Sequence, residues 1–144
     1  MQAPLSKADM LDGDNAGAPT TVHEVKIDSG RAIIAFVLDG LIGVDEMGTF
    51  VQKLKAATVS LAGRQIKIKA DVRTFQPASP EAAAMIRAVQ EFGLKSGVKR
   101  VAEIVESQVV ALQLNRVAAE SGTDKILRRF WEEDSAQEWL VHGD

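Results

Sequence analysis

The chain has 144 residues, 46% hydrophobic and 26% charged, with a net charge of −3 and a pI near 5.4. That is enough for one domain with a proper core and too little for two of ordinary size. Its 17 Lys and Arg form no basic block that could track a phosphate backbone, so nucleic acid is not an expected partner. The absence of cysteine excludes disulfides, thiolate metal sites and cysteine nucleophiles, and fits a reducing, cytoplasmic compartment.

Residues 1–20, rich in Ala, Gly, Asp, Pro and Thr, have no apolar period and read as a flexible tail ahead of a single domain over 21–144. They carry no basic region followed by an apolar run, so no secretory signal is expected, and no apolar segment approaches a membrane span. Residues 22–28 alternate as a half-exposed strand, Asp28-Ser29-Gly30 marks a turn, and 31–38 form a solidly apolar strand. Asp45 is placed to cap a helix carrying Met47, Phe50, Val51 and Leu54, which fades by Gly63. Residues 65–72 then read as a strand, with Ile66, Ile68 and Ala70 on one face and Lys67 and Lys69 on the other.

The strand closes on Asp71, a short polar loop follows, and Ser79-Pro80-Glu81 opens a helix with Ala82, Met85, Ile86, Val89 and Phe92 along one stripe. Residues 99–105 form the next strand. Ser107 caps a helix with Val110, Leu114 and Val117 that ends at Ser121-Gly122, and 125–131 form the last strand. Ser135-Ala-Gln-Glu138 matches a capping box for a short terminal helix, with Trp131 and Trp139 packing that helix on the last strand. The order ββαβαβαβα predicts an α/β fold: a mixed sheet with an antiparallel first hairpin, then right-handed βα repeats. Lys67 and Lys69 on a middle strand, and Arg128 and Arg129 in the last, imply helices mainly on one face. The second strand is apolar on both sides, so its outward residues need a cover: the tail, the first helix, or a partner chain in a homodimer.

No constellation carries an evident catalytic signature. His23 and His142 lie near opposite ends of the ordered sequence, and neither has a triad or metal partner that spacing can specify. Glu132-Glu133-Asp134 lacks the spaced ligands of a calcium loop and reads as a solvated turn. No cofactor or metal is expected. The stretch 71–86 is the candidate binding site, because a helix start at the C-terminal end of a sheet points backbone donors at a ligand. Its residues are Asp71, Arg73, Thr74, Ser79 and Glu81. Each also has a purely structural role open to it: Asp71 and Thr74 bonding nearby amides, Ser79 as an N-cap, Glu81 complementing the helix dipole.

This order of elements, with an Asp closing the strand before a helix-opening loop, resembles the STAS domain of anti-sigma-factor antagonists and sulfate transporters. The ending Arg129-Phe-Trp-Glu-Glu-Asp-Ser-Ala136-Gln-Glu-Trp139-Leu140 is similar to the close of uncharacterised bacterial STAS-like proteins. The resemblance covers roughly residues 22–142 and implies helices on one side of the sheet. In antagonists the strand-ending Asp is followed eight residues later by an Asp and then hydroxyl residues, of which the second is phosphorylated by a partner kinase. Asp71 matches the first Asp; Ser79 falls on the second, Pro80 and Glu81 on the hydroxyl positions, and Ala82 on the following Gly. The phosphoacceptor is absent unless a slip of one or two residues brings Ser79 there.

The resemblance implies a non-enzymatic interaction module whose protein partner is unknown, docking through the 71–81 loop and the adjoining helix. The alternative is a small-molecule binder for an anionic or lipid-like ligand; an enzyme using Asp71 or Glu81 as acid or base lacks supporting residues. Whatever the function, Ser79→Ala removes a cap and should lower stability by about 1 kcal/mol, read as a shift of the urea midpoint.

Overall fold

The computed structural model describes residues 23–143, so the flexible tail expected over 1–20 lies outside the described residues. Strand β1 (Val25–Asp28) turns into β2 (Ile33–Gly40), followed by α1 (Val44–Ser60), β3 (Ile66–Phe75), α2 (Pro80–Lys95) and β4 (Val98–Ile104). Then come α3 (Gln108–Ser121), a 3-10 turn Thr123–Lys125, β5 (Leu127–Phe130) and α4 (Glu133–His142). The order is the one expected from the sequence. The 3-10 turn takes up Lys125, the first residue of the predicted last strand, and the strand itself starts at Leu127.

The sheet runs β1-β2-β3-β4-β5, with β1 antiparallel to β2 and every other pair parallel. In the first turn Asp28 Oδ1 accepts from the Arg31 amide at 3.2 Å. Each later crossover advances one strand in the same direction, and crossovers of one hand then lay their helices on one face. That face carries the main core: Ile34, Ile66, Ile68, Ala70 and Val72 of the sheet against Met47, Phe50 and Leu54 of α1, Ile86 and Val89 of α2, and Val110 and Leu114 of α3. Phe36 meets Phe50 edge-on at 4.8 Å between centroids.

Helix ends follow the local chemistry. The Oγ atoms of Ser79 and Ser107 accept from the Ala82 and Val110 amides at 3.2 and 3.3 Å, as the capping pattern predicts. Gly122 closes α3 at φ 89, a left-handed conformation that glycine adopts without penalty, and its N–H donates to the Ala118 carbonyl. Two helix starts differ from expectation. Gly43 rather than Asp45 precedes α1, with Glu46 reaching back to the Gly43 amide at 3.4 Å. The terminal helix begins at Glu133 after Glu132, not after Ser135, because Glu133 and Asp134 are favoured in a first turn by the helix dipole.

Helices α1 to α3 share one face, but α4 lies on the other. No strand remains for it to join after β5, and it packs Ala136 and Leu140 against Ile33, Ala102 and Ile104. The lysine-bearing face is therefore covered rather than open. Lys69 Nζ reaches Glu133 Oε2 at 3.0 Å and Gln137 Oε1 at 3.1 Å, while the Arg128 and Arg100 guanidinium carbons lie 5.0 and 5.8 Å from the Trp139 ring centroid. A polar face can carry a helix when the helix supplies carboxylates and an aromatic ring. On the outer side of β2, α4 covers Ile33, while Val37 stays 39% exposed. Trp139 packs on Phe130 as expected, whereas Trp131 is 65% exposed.

Leu140 is fully buried in the smaller core. Leu140→Ala should cost about 2–5 kcal/mol and weaken amide protection across α4. Trp131→Ala should change stability by no more than about 0.5 kcal/mol. Chemical denaturation with hydrogen exchange checks both.

Candidate functional site

Strand β3 continues to Phe75, so Asp71 sits within the strand rather than at its end. The register explains how. Val37 pairs with Asp71 and Asp39 with Thr74, which leaves one extra residue in β3 and makes a bulge. Regular alternation keeps Val72 in the main core and brings Asp71 and Arg73 out on the α4 face, and the bulge then returns Phe75 to the core. Asp71 Oδ1 accepts from the Arg73 amide at 3.1 Å and from Arg73 Nε at 3.0 Å, and Oδ2 accepts from Nη2 at 2.6 Å. The carboxylate thus closes the bulge and fixes the guanidinium in a fork.

The five sequence-predicted residues are not one cluster. Arg73 is directed at Asp71 and at Glu133 Oε1, 3.9 Å away on α4, and not at the start of α2. The expected anion cradle of Arg73 beside a helix N-terminus is therefore not assembled. Glu133, read as part of a solvated turn, instead bridges Lys69 and Arg73. Thr74 is exposed, and so are Ser79, Pro80 and Glu81. Ser79 serves as the cap, with Pro80 at the first helical position.

One residue outside the predicted set holds the loop. Gln113 of α3 accepts from the Ala78 amide at 2.7 Å and donates to the Ala78 carbonyl at 2.8 Å, a two-point clamp on the segment between β3 and α2. No local spacing signals a contact across 35 residues. The loop is thereby presented in one conformation beside the start of α3. At the same end of the sheet, Leu41 in the β2–α1 connection, Val109 and Leu112 on α3, and Trp131 before α4 are all large, apolar and exposed. Val109 and Leu112, three apart, share one helix face. Glu81, Glu106 and Glu132 are exposed among them.

A second feature lies inside the main core. A cavity of about 80 Å³ separates α2 from the sheet, floored by Ile68, Ala70, Val72, Val98 and Val101 and roofed by Ile86, Val89, Gly93 and Leu94. Its one charged lining group is Glu103, which is 4% exposed. Glu103 Oε1 stands 3.2 Å from Arg129 Nε, but without hydrogen-bond alignment. That oxygen and Arg129 Nε and Nη2 are buried without a hydrogen-bond partner. Burial pushes the Glu103 carboxyl above its ordinary value, and the Arg129 charge and contact pull only part of that back. For Asp71 the balance is reversed: burial alone would raise it, but the Arg73 hydrogen bonds and the Arg73 and Lys69 charges together hold it below the ordinary value.

Among the described residues no helix is long and apolar enough to cross a membrane, and no three or more His, Asp or Glu are grouped to hold a metal ion.

A one-directional parallel sheet with an antiparallel first strand, three helices on one face and a loop-to-helix junction at its C-terminal end defines an α/β module of the STAS type. The model of the SpoIIAA-like family matches residues 33–141, and the chain belongs to that family. Among solved structures it is similar to an uncharacterised protein of the DUF3478 family with a SpoIIAA-like fold from Shewanella loihica PV-4, at 20% identity and a TM-score of 0.58 over 81% of this chain and 90% of that one. It is also similar to the protein TM1081, solved by NMR, at 13% identity and a TM-score of 0.58 over 92% of this chain and 99% of that one. At these identities the likeness is one of fold. No curated protein matches.

The two perturbed carboxylates give opposite pH signatures. Asp71, lowered in the fold, stabilises above the ordinary aspartate value near about pH 3.9 and loses that contribution as pH falls through its folded value. The stability advantage of wild type over Asp71→Asn should therefore shrink on acidification. Glu103, raised in the fold, is at its most favourable below about pH 4.3 and loses that contribution as pH rises through its folded value. The difference between wild type and Glu103→Gln should decline as pH rises from there. Thermal melts of the three proteins across pH 3–7, the acid-to-neutral range that brackets roughly both values, check both signs.

Proposed function

We propose that the chain is a non-enzymatic regulatory module that docks a protein partner at the C-terminal end of its sheet, in a cytoplasmic setting. The observation that carries this reading is the set of exposed apolar side chains Leu41, Val109, Leu112 and Trp131 at the end where the clamped 76–79 loop opens α2. The ends of β2 and β5 lie roughly 14 Å apart across three strand spacings, a span one partner segment can cover. Family membership fits a STAS-like regulatory module. Here the hydroxyl positions of the antagonist motif are Pro80 and Glu81, and the Ser79 oxygen is engaged as a cap, so docking does not depend on phosphorylation of Ser79.

A second reading, favoured by the cavity between α2 and the sheet, is that the module binds a small apolar molecule there.

The first reading is tested by pull-down from the native cell with wild type, Glu81→Lys, Leu112→Asp and, at the opposite end of the sheet, Lys99→Glu. All three positions are exposed, so stability should hold within about 0.5 kcal/mol. A partner lost with Glu81→Lys and Leu112→Asp but kept with Lys99→Glu is the expected result. Unchanged capture by all three variants sinks it.

A further inference from the structure

At the N-terminal ends of the parallel strands, opposite the docking end, lies a groove of about 410 Å³. It runs between the β1–β2 turn, the segment entering β3 and Val141 of α4, and its volume is in the range of small-ligand sites. Arg31, Arg64 and Lys67 line it. Arg31 is answered by a carboxylate, its Nη1 lying 3.2 Å from Asp28 Oδ2. The other two heads are held by neutral groups. Arg64 donates from Nη1 to the Ser29 carbonyl at 2.9 Å and from Nη2 to the Gly30 carbonyl at 3.4 Å, and Lys67 Nζ donates to the Arg31 carbonyl at 2.9 Å. Those carbonyls are consecutive in one turn, and Gly30 and Arg31 line the groove, so the turn seats both heads beside each other at its wall.

Among the described residues no carboxylate lies within ion-pair distance of Arg64 or Lys67. Like charges drawn together on carbonyls repel, and Lys67 is half-buried, so an anion set against both heads relieves what the turn alone does not. Both heads keep N–H donors beyond those the carbonyls use. Their positions are already fixed, which lowers the ordering cost of binding. The turn itself is firmly built: Ala32, 2% exposed, holds φ at 57, and its carbonyl accepts from the Lys67 amide at 2.9 Å. Carbonyls at the C-terminal end of α4 are answered nearby, Trp139 by the Gly143 amide at 2.8 Å and Leu140 by Arg100 Nη1 at 3.3 Å. Arg100 is also the direct partner of Lys67 on β4, a further cation at this end.

We infer that this groove binds a phosphate dianion, free or as the phosphate group of a small soluble monoester, between the Arg64 and Lys67 heads. A pair of cations without a carboxylate matches the charge of one phosphate group, about −1.5 to −2 at neutral pH, whereas a monocarboxylate leaves one of them unanswered. The site stands apart from the docking surface at the other end of the sheet.

The test titrates the full chain at physiological salt with inorganic phosphate, methyl phosphate and acetate, following the amide shifts of Gly30, Ala32 and Lys67 by NMR. Vesicles containing phosphatidic acid are offered separately in a flotation assay. Both phosphates should shift these amides saturably, with acetate weakest. Arg64→Gln and Lys67→Gln should each weaken phosphate about tenfold, the order expected for losing a hydrogen bond between charged groups. Lys99→Gln, which removes an exposed cation at the same end of the sheet, should leave phosphate binding unchanged. Because the first two variants also lose a bond to the turn, wild type is melted as well: phosphate should raise its melting temperature where chloride at equal ionic strength does not. Absence of a saturable shift with either phosphate overturns the site. So does an equal loss in Lys99→Gln, which would mean general charge attraction, or vesicle binding that neither soluble phosphate reproduces.

Discussion

Strand β3 gives the sheet two chemically different faces, and the rest of the molecule is arranged around that difference. Ile66, Ile68 and Ala70 point one way, while Lys67, Lys69 and Asp71 point the other. Because successive side chains of a strand alternate, the same ten residues must satisfy an apolar layer and an ionic one together. Three amphipathic helices laid down by same-handed crossovers can bury only the first. The second requires a helix whose inner side offers carboxylates and an aromatic ring as well as alanine and leucine, and α4 meets that with Glu133, Trp139, Ala136 and Leu140.

The bulge in β3 lets this two-sided strand also serve the functional end. A strand extended regularly to Phe75 would change which residues face the core after Asp71. The extra residue, beside the Asp71–Arg73 fork, returns Phe75 inward and leads the chain into the loop that Gln113 clamps. The position of Ser79 and Glu81 is thus coupled through a short run of backbone to an ion cluster on the far face. Among the described residues, Val109, Leu112 and Trp131 stay exposed at that end, although an entire helix covers the opposite face. Leu140 is buried completely while Leu112 stays exposed, and exposed apolar side chains grouped at one end are what a docking surface offers.

Much of this was legible in the amino acids. The element order, the buried faces of α1 and α3, the caps at Ser79 and Ser107 and the STAS-type resemblance all follow from periods and capping residues, which are local signals. What was not legible was non-local. The alternation of Lys67 and Lys69 identified a polar face correctly, but polarity was equated with openness, and no local rule says that a helix 64 residues away brings Glu133 to Lys69. The bulge hid the true end of β3, because Val72, Thr74 and Phe75 continue a strand-like pattern only when one residue is allowed to drop out of register. The Gln113 clamp and the Glu103–Arg129 pair likewise depend on strand and helix neighbours that spacing alone does not specify. Glu103 left one trace, a lone carboxylate inside the apolar run Val101-Ala102-Glu103-Ile104-Val105.

That carboxylate raises the question of what the fold gains from it. Its same-face neighbours, Ala70 on β3 and Val101 on its own strand, are apolar, and an apolar residue would pack there without desolvation cost. A buried ion pair is weak support for stability, and this one leaves three polar atoms unmet. Register offers one return. Glu103 and Arg129 are direct cross-strand partners, and β5 is only four residues long, so a slip by one would turn Arg129 outward and strand the carboxylate. Register alone, however, would be served by a well-aligned bidentate pair. Here that alignment is not made, with Arg129 Nε and Glu103 Oε1 3.2 Å apart.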